Sequence, residues 1–83
     1  MKTEYSLACD VAIGAAIRTE RCKRGLSQSD LAAQLQLRGF DLGNNAISKM
    51  EQGARSCSVG ELLAMCAALQ VSLSALLLPF APS

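Results

Sequence analysis

Apolar residues recur along this chain at spacings of three and four, and the stretches they mark are bounded by capping residues and glycines. Residues three or four apart share one face of a helix, so this period reads as a series of short amphipathic helices. From Asp10 the positions Val11, Ile13, Ala16 and Ile17 mark the first such face, with Asp10 placed to cap its start. The stretch ends in Arg21-Cys22-Lys23-Arg24-Gly25, which sets cations beside the negative end of the helix dipole and a glycine as the stop. The spacing predicts a first helix over 10–24. Residues 1–9 carry no pattern and are expected as an N-terminal arm.

Ser27 is a strong N-cap, and Asp30 three residues later completes a capping-box-like start. Leu31, Ala32 and Leu35 supply the buried face of this second helix. The segment 36–42 either lengthens the helix or, the favoured reading, forms an ordered loop pinned by Leu37, Phe40 and Leu42, and its apolar content argues against a floppy linker. A third helix is predicted over 43–52, with Ile47 and Met50 inward, Asn44, Asn45, Ser48 and Lys49 outward, and Gly53 closing it. Ser58 and Glu61 form a second capping box. The fourth helix behind it offers Val59, Leu62, Leu63, Cys66 and Leu69 to the first two helices. Ser72 caps a short fifth helix with Leu73, Leu76 and Leu77, of which Leu73 and Leu76 are expected to face inward. Pro79 and Pro82 keep 79–83 as a non-helical tail, so residues 10–78 read as the folded domain.

Composition narrows the picture. With 83 residues the chain suits one domain, and it is 51% hydrophobic yet only 4% aromatic, with no Trp. The core must be built from Leu, Ala, Ile, Val and Met. Strand-forming residues never alternate over a useful length, so the fold class is all-α. Eight basic and seven acidic residues give a net charge of +1, which by itself does not announce nucleic-acid binding. Cys9, Cys22, Cys57 and Cys66 contain no Cys-x-x-Cys pair and there is no His, so no metal site is expected. No secretory signal opens the sequence, so disulfides are not expected, and Cys22 and Cys66 read as small apolar residues. No apolar run approaches the roughly 18 residues that cross a membrane. Catalysis has no His-based pair, no phosphate-cradling glycine loop and no inward carboxylate pair to use.

The outward face of the third helix is the chemistry that remains. An Asn side chain presents a donor and an acceptor together, which matches adenine N6 and N7, while Lys matches guanine O6 and N7. Asn also suits a helix start, so the residues alone leave both roles open for Asn44 and Asn45. Arg55 and Ser56, just beyond the third helix, are placed to clamp a DNA phosphate. Arg38 in the 36–42 segment either reaches the backbone too or is a solvated surface charge.

Two segments flanking a Gly-containing turn carry a resemblance. Leu26-Ser27-Gln28 before the second helix and Ile47-Ser48-Lys49-Met50-Glu51-Gln52-Gly53 on the third are similar to the phage-repressor-like (Cro/C1, or XRE) helix-turn-helix family. The resemblance covers residues 11–77 and implies a compact five-helix bundle, a lambda-repressor-like DNA-binding domain whose third helix enters the major groove. It places Gly43, Asn44, Asn45 and Lys49 at base-contacting positions, with Ser48 on the flank, and Gln28 at a phosphate-gripping position. It also implies a structural ion pair between Arg21 and Glu51. The chain departs from the family in three places. Gly43 stands where a polar residue is usual, Glu20 stands where a large apolar residue is usual and must pair with Arg24 or reach solvent, and the stretch between Leu35 and Ile47 is longer.

The expected function is therefore sequence-specific binding of double-stranded DNA by a cytoplasmic transcriptional regulator, without cofactor, small-molecule ligand or membrane. A homodimer is expected, with Leu77, Leu78 and Phe80 as its interface. Two other readings remain open at this point: an antitoxin or accessory subunit that binds a protein, and a helical interaction module that has lost DNA binding. A basic face containing Gln28, Asn44, Lys49 and Arg55 would favour DNA, and an evenly mixed surface a protein partner.

Overall fold

Thr3 begins the first helix by accepting the Ser6 N–H on Oγ1 at 3.1 Å. The computed structural model describes residues 3–77, and among them five helices and no strand occur. They are α1 (Glu4–Lys23), α2 (Gln28–Leu37), α3 (Asn44–Glu51), α4 (Val59–Leu69) and α5 (Leu73–Leu76). The N-terminal arm expected for 1–9 is thus helical from Glu4 onward. Thr3 caps it and Glu4 lies in its first turn, where a carboxylate favours the helix dipole. This extension has no apolar stripe because it buries little: Tyr5 and Leu7 are exposed. Asp10, expected as a cap, stands inside α1, where its Oδ2 accepts the Ser56 hydroxyl at 2.9 Å.

The core is aliphatic and Met-rich. Ile17, Leu31, Leu35, Ile47, Met50, Met65, Leu69 and Leu76 are fully buried, so the faces expected for α2 and α3 point inward. α4 turns differently from expectation. Its capping box is complete, with Ser58 Oγ accepting the Glu61 N–H and Glu61 accepting the Ser58 N–H. From that start the inward positions are Leu62, Met65, Cys66 and Leu69. Leu63 lies about 100° round from Leu62 and is 51% exposed, while Val59 in the first turn is 76% exposed. Leu73 is also exposed, leaving Leu76 to anchor α5, and Cys22 lies on the surface rather than in the core. Of the residues expected at a dimer interface, Leu77 is half-buried, whereas Leu78 and Phe80 lie outside the described residues.

The long connection before α3 combines both alternatives. α2 runs on to Leu37, and then the Gly39 and Phe40 N–H groups bond back to the carbonyls of Gln36 and Leu35, both at 3.0 Å. This folds Phe40 under the domain, where it and Leu42 pack against the core. Leu37 is not a pin, because it projects into solvent at 80% exposure.

The helices α1 and α3 meet backbone to backbone. A Cβ at Gly14 would lie 2.0 Å from the Met50 carbonyl oxygen, and one at Gly53, whose φ is +77°, would lie 2.6 Å from Val11 Cγ2. No side chain fits at either place. Gly14→Ala should therefore force the helices apart and cost about 1–3 kcal/mol, as overpacking does. Gly60→Ala, whose Cβ would meet only the Phe40 ring at 3.4 Å, should be neutral or slightly stabilising. Thermal melts of the two variants check this, and equal midpoints would contradict the close approach.

Candidate nucleic-acid interface

The α2–turn–α3 unit is built from two helix starts of different kinds. Ser27 caps α2 through a complete box: its Oγ accepts the Asp30 N–H at 3.0 Å, and Asp30 Oδ2 accepts the Ser27 N–H at 2.9 Å. The bond from the Ser27 backbone holds the Asp30 carboxyl below its ordinary range. Gly43 opens α3 without any side-chain cap, so Asn44 and Asn45 are not spent as capping groups.

Around α3 the outward side chains divide. Asn45 and Lys49 are each two positions from Ile47, about 200° round the helix, and both are exposed. Neither has a hydrogen-bond or ion-pair partner among the described residues. Asn44 faces α2, and its Nδ2–H donates to Ser29 Oγ at 2.7 Å. Ser48 is half-buried on the flank and accepts a hydrogen bond from Gln52 Nε2 at 3.1 Å. Ser29 is the one residue of this surface that the sequence reading missed. Its spacing carries no signal, because the contact depends on how α2 and α3 cross.

Behind this surface lies a network. Arg21 Nε donates to Glu51 Oε2 at 2.6 Å and its second guanidinium nitrogen to Oε1 at 2.9 Å, while the third reaches the Leu26 carbonyl at 2.8 Å. The two side chains are only 13% and 3% exposed. The hydrogen bonds to Glu51 raise the Arg21 pKa further. Gln28 Nε2 joins the same carboxylate at 3.2 Å.

The expected phosphate contacts fare unequally. Gln28 stands in the first turn of α2, whose leading N–H groups have no intrahelical acceptor, although its side chain already serves Glu51. Arg55 is held by Glu61 in a two-point pair at 3.0 and 3.2 Å, and those bonds hold the Glu61 carboxyl below its ordinary range. Ser56 gives its hydroxyl to Asp10. Arg38 is not brought to this surface. It bonds to the Gln34 carbonyl at 2.9 Å at the far end of α2, beside a shallow cavity of about 380 Å³ that Arg24 and Gln70 also line. Glu20 takes the first of its alternatives, accepting from Arg24 at 2.7 Å. Thus Lys49 is the unpaired cation of the α3 face.

The cysteines are free thiols. Burial raises Cys66 and pushes Cys57 up to about 11, so both stay protonated at neutral pH.

Removing Glu51 would strand the Arg21 charge in a nearly dry place. Glu51→Ala should cost about 3–5 kcal/mol, whereas Glu4→Ala, on the exposed first turn of α1, should change little. Denaturant titrations decide it: similar midpoints for both would mean that the pair is not structural.

Residues 17–76 match the helix-turn-helix family HTH_3. The solved structures that the chain is similar to include two regulators. The clp gene regulator ClgR from C. glutamicum shares 27% identity with a TM-score of 0.76, covering 84% of each chain. The restriction-modification controller protein C.AhdI from Aeromonas hydrophila shares 28% identity with a TM-score of 0.75, covering 84% of this chain and 94% of its own. No curated protein sequence matches. The matched span includes α2, the turn and α3, and the chain belongs to the XRE-type helix-turn-helix (HTH_3) family of DNA-binding transcription regulators.

Proposed function

We propose that this protein binds double-stranded DNA sequence-specifically as a homodimer, with α3 in the major groove, and that it acts in the cytoplasm as a regulator rather than an enzyme. One observation carries the reading: Asn45 and Lys49 project side by side from the face of α3 opposite its buried face, with their polar groups uncommitted. An amide and an ammonium left free on a helix of this motif suit adenine and guanine edges. Both similar structures are, by their descriptions, regulators of gene expression or of a restriction-modification system.

Base contact is assigned to Asn44, Asn45 and Lys49, with Gly43 contributing only its close backbone and Ser48 remaining on the flank. Backbone contact is assigned first to Gln28 and the α2 N-terminus, which favours an anion through its free N–H groups and dipole. Arg55 and Ser56 are secondary candidates, because Glu61 and Asp10 compete for them. Arg38 is dropped. Among the described residues no helix is long and apolar enough to cross a membrane.

The weak charge of this face makes a second half-site necessary for useful affinity, which supports a dimer. Val59 and Leu63, one turn apart on α4, are the large apolar groups exposed there. We assign this face to the interface, in addition to the expected Leu77, Leu78 and Phe80. Joined by a two-fold axis, two copies would set their α3 helices about 34 Å apart on a pseudo-palindromic operator.

Two experiments test these assignments. Asn45→Ala should cost about 1–3 kcal/mol of binding and relax preference at one base position, measured on sites selected from a random DNA pool. An equal loss on selected and scrambled DNA would reassign Asn45 to the backbone. Leu63→Glu should leave the fold intact but give a monomer by sedimentation with weak half-site binding, and a wild-type chain that stays monomeric on DNA would remove the interface.

A further inference from the structure

Asn44 and Asn45 are adjacent and identical, yet only Asn44 is tethered, through its Nδ2–H to Ser29 Oγ at 2.7 Å. The backbone that carries the tether is pinned. Ser29 lies between Ser27 and Asp30, whose reciprocal capping bonds of 2.9 and 3.0 Å straddle it. An untethered Asn has a broad, two-fold preference about its last torsion and offers its carbonyl or its amide outward with little bias. With one N–H given to Ser29, Asn44 keeps its other N–H and its Oδ1. In this orientation these are the donor and acceptor that adenine N7 and N6 require, while guanine offers two acceptors there and would repel the outward carbonyl. Docking on DNA excludes water from the pair, which strengthens the tether where it is needed.

We infer that Ser29 is a positioning residue that pre-sets the Asn44 amide, so that α3 reads adenine at one position of each half-site. This rests on the reading of α3 as the base-reading helix. Ser29 itself touches no base.

The test uses the full chain. Sites are selected from a random DNA pool with the wild type, and every base is then placed at each position for the wild type and for Asn44→Ala, Ser29→Ala and Ser29→Thr. Asn44→Ala should abolish an adenine preference at one position. Ser29→Ala should lower the preference for adenine over guanine at that same position about three- to tenfold, the range a single net hydrogen bond spans. Other positions and the melting midpoint should stay unchanged, and Ser29→Thr, which keeps the hydroxyl, should retain the preference. If Ser29→Ala leaves that preference intact while Asn44→Ala removes it, the positioning role is overturned and the reading of α3 stands. A loss that Ser29→Ala spreads evenly over all sequences also overturns it, by placing the hydroxyl on the backbone. If Asn44→Ala changes no preference, the positioning role is overturned, because Ser29 then has nothing to position, while the reading of α3 still rests on Asn45 and Lys49.

Discussion

The Arg21–Glu51 pair is the interaction on which the arrangement of the readout surface depends. Through three guanidinium nitrogens Arg21 holds the end of α3 and the Leu26 carbonyl that leads into α2. Gln28 adds the first turn of α2 to the same carboxylate. One ion pair therefore fixes α1, the link into α2, the start of α2 and the end of α3 relative to one another. Its net contribution to stability is modest, since desolvating two charges offsets most of their attraction. Its geometric contribution is larger, because bidentate bonds tolerate little rotation. The glycine contact at Gly14 acts in the same direction by bringing the α1 and α3 backbones together without any intervening side chain.

The same economy of charge shapes binding. Glu51 engages Arg21, Glu20 engages Arg24 with Lys23 at 3.6 Å, and Glu61 engages Arg55. Among the described residues the scaffold thus engages four of the eight basic residues of a chain whose net charge is only +1. A surface of this kind exerts little long-range pull on a polyanion. Discrimination and affinity must then come largely from short-range groups held in place. Pre-organised side chains matter more here than they would on a strongly basic domain.

Much of this was legible in the residues. The capping boxes at Ser27 and Ser58, the inward Ile47 and Met50 and the glycine stops follow from local chemistry that acts over three or four positions. What was not legible depends on neighbours distant in sequence. The first turns of α1 bury little, so no apolar period marked them, and only the Thr3 cap betrays the helix. On α4, apolar residues occupy nearly every side, and periodicity cannot choose between Leu63 and Met65 when both are hydrophobic. Arg55 stands where a phosphate clamp was expected, but nothing in its own segment revealed that the capping Glu61 would also reach it. The same carboxylate serves the Ser58 N–H and the guanidinium.

Asn44 and Asn45 carry that distinction to a single step along the chain. One residue of α-helix is about 100° of rotation, enough to carry one amide onto α2 and leave its neighbour facing solvent. Asn45, exposed and without a side-chain partner among the described residues, keeps its torsional freedom. Asn44 instead donates one amide N–H to Ser29. Two copies of one side chain can then supply different kinds of contact, one adaptable and one preset. The difference comes from how α2 and α3 cross, and that crossing is held by Arg21, Gln28 and Glu51 two turns further along α3.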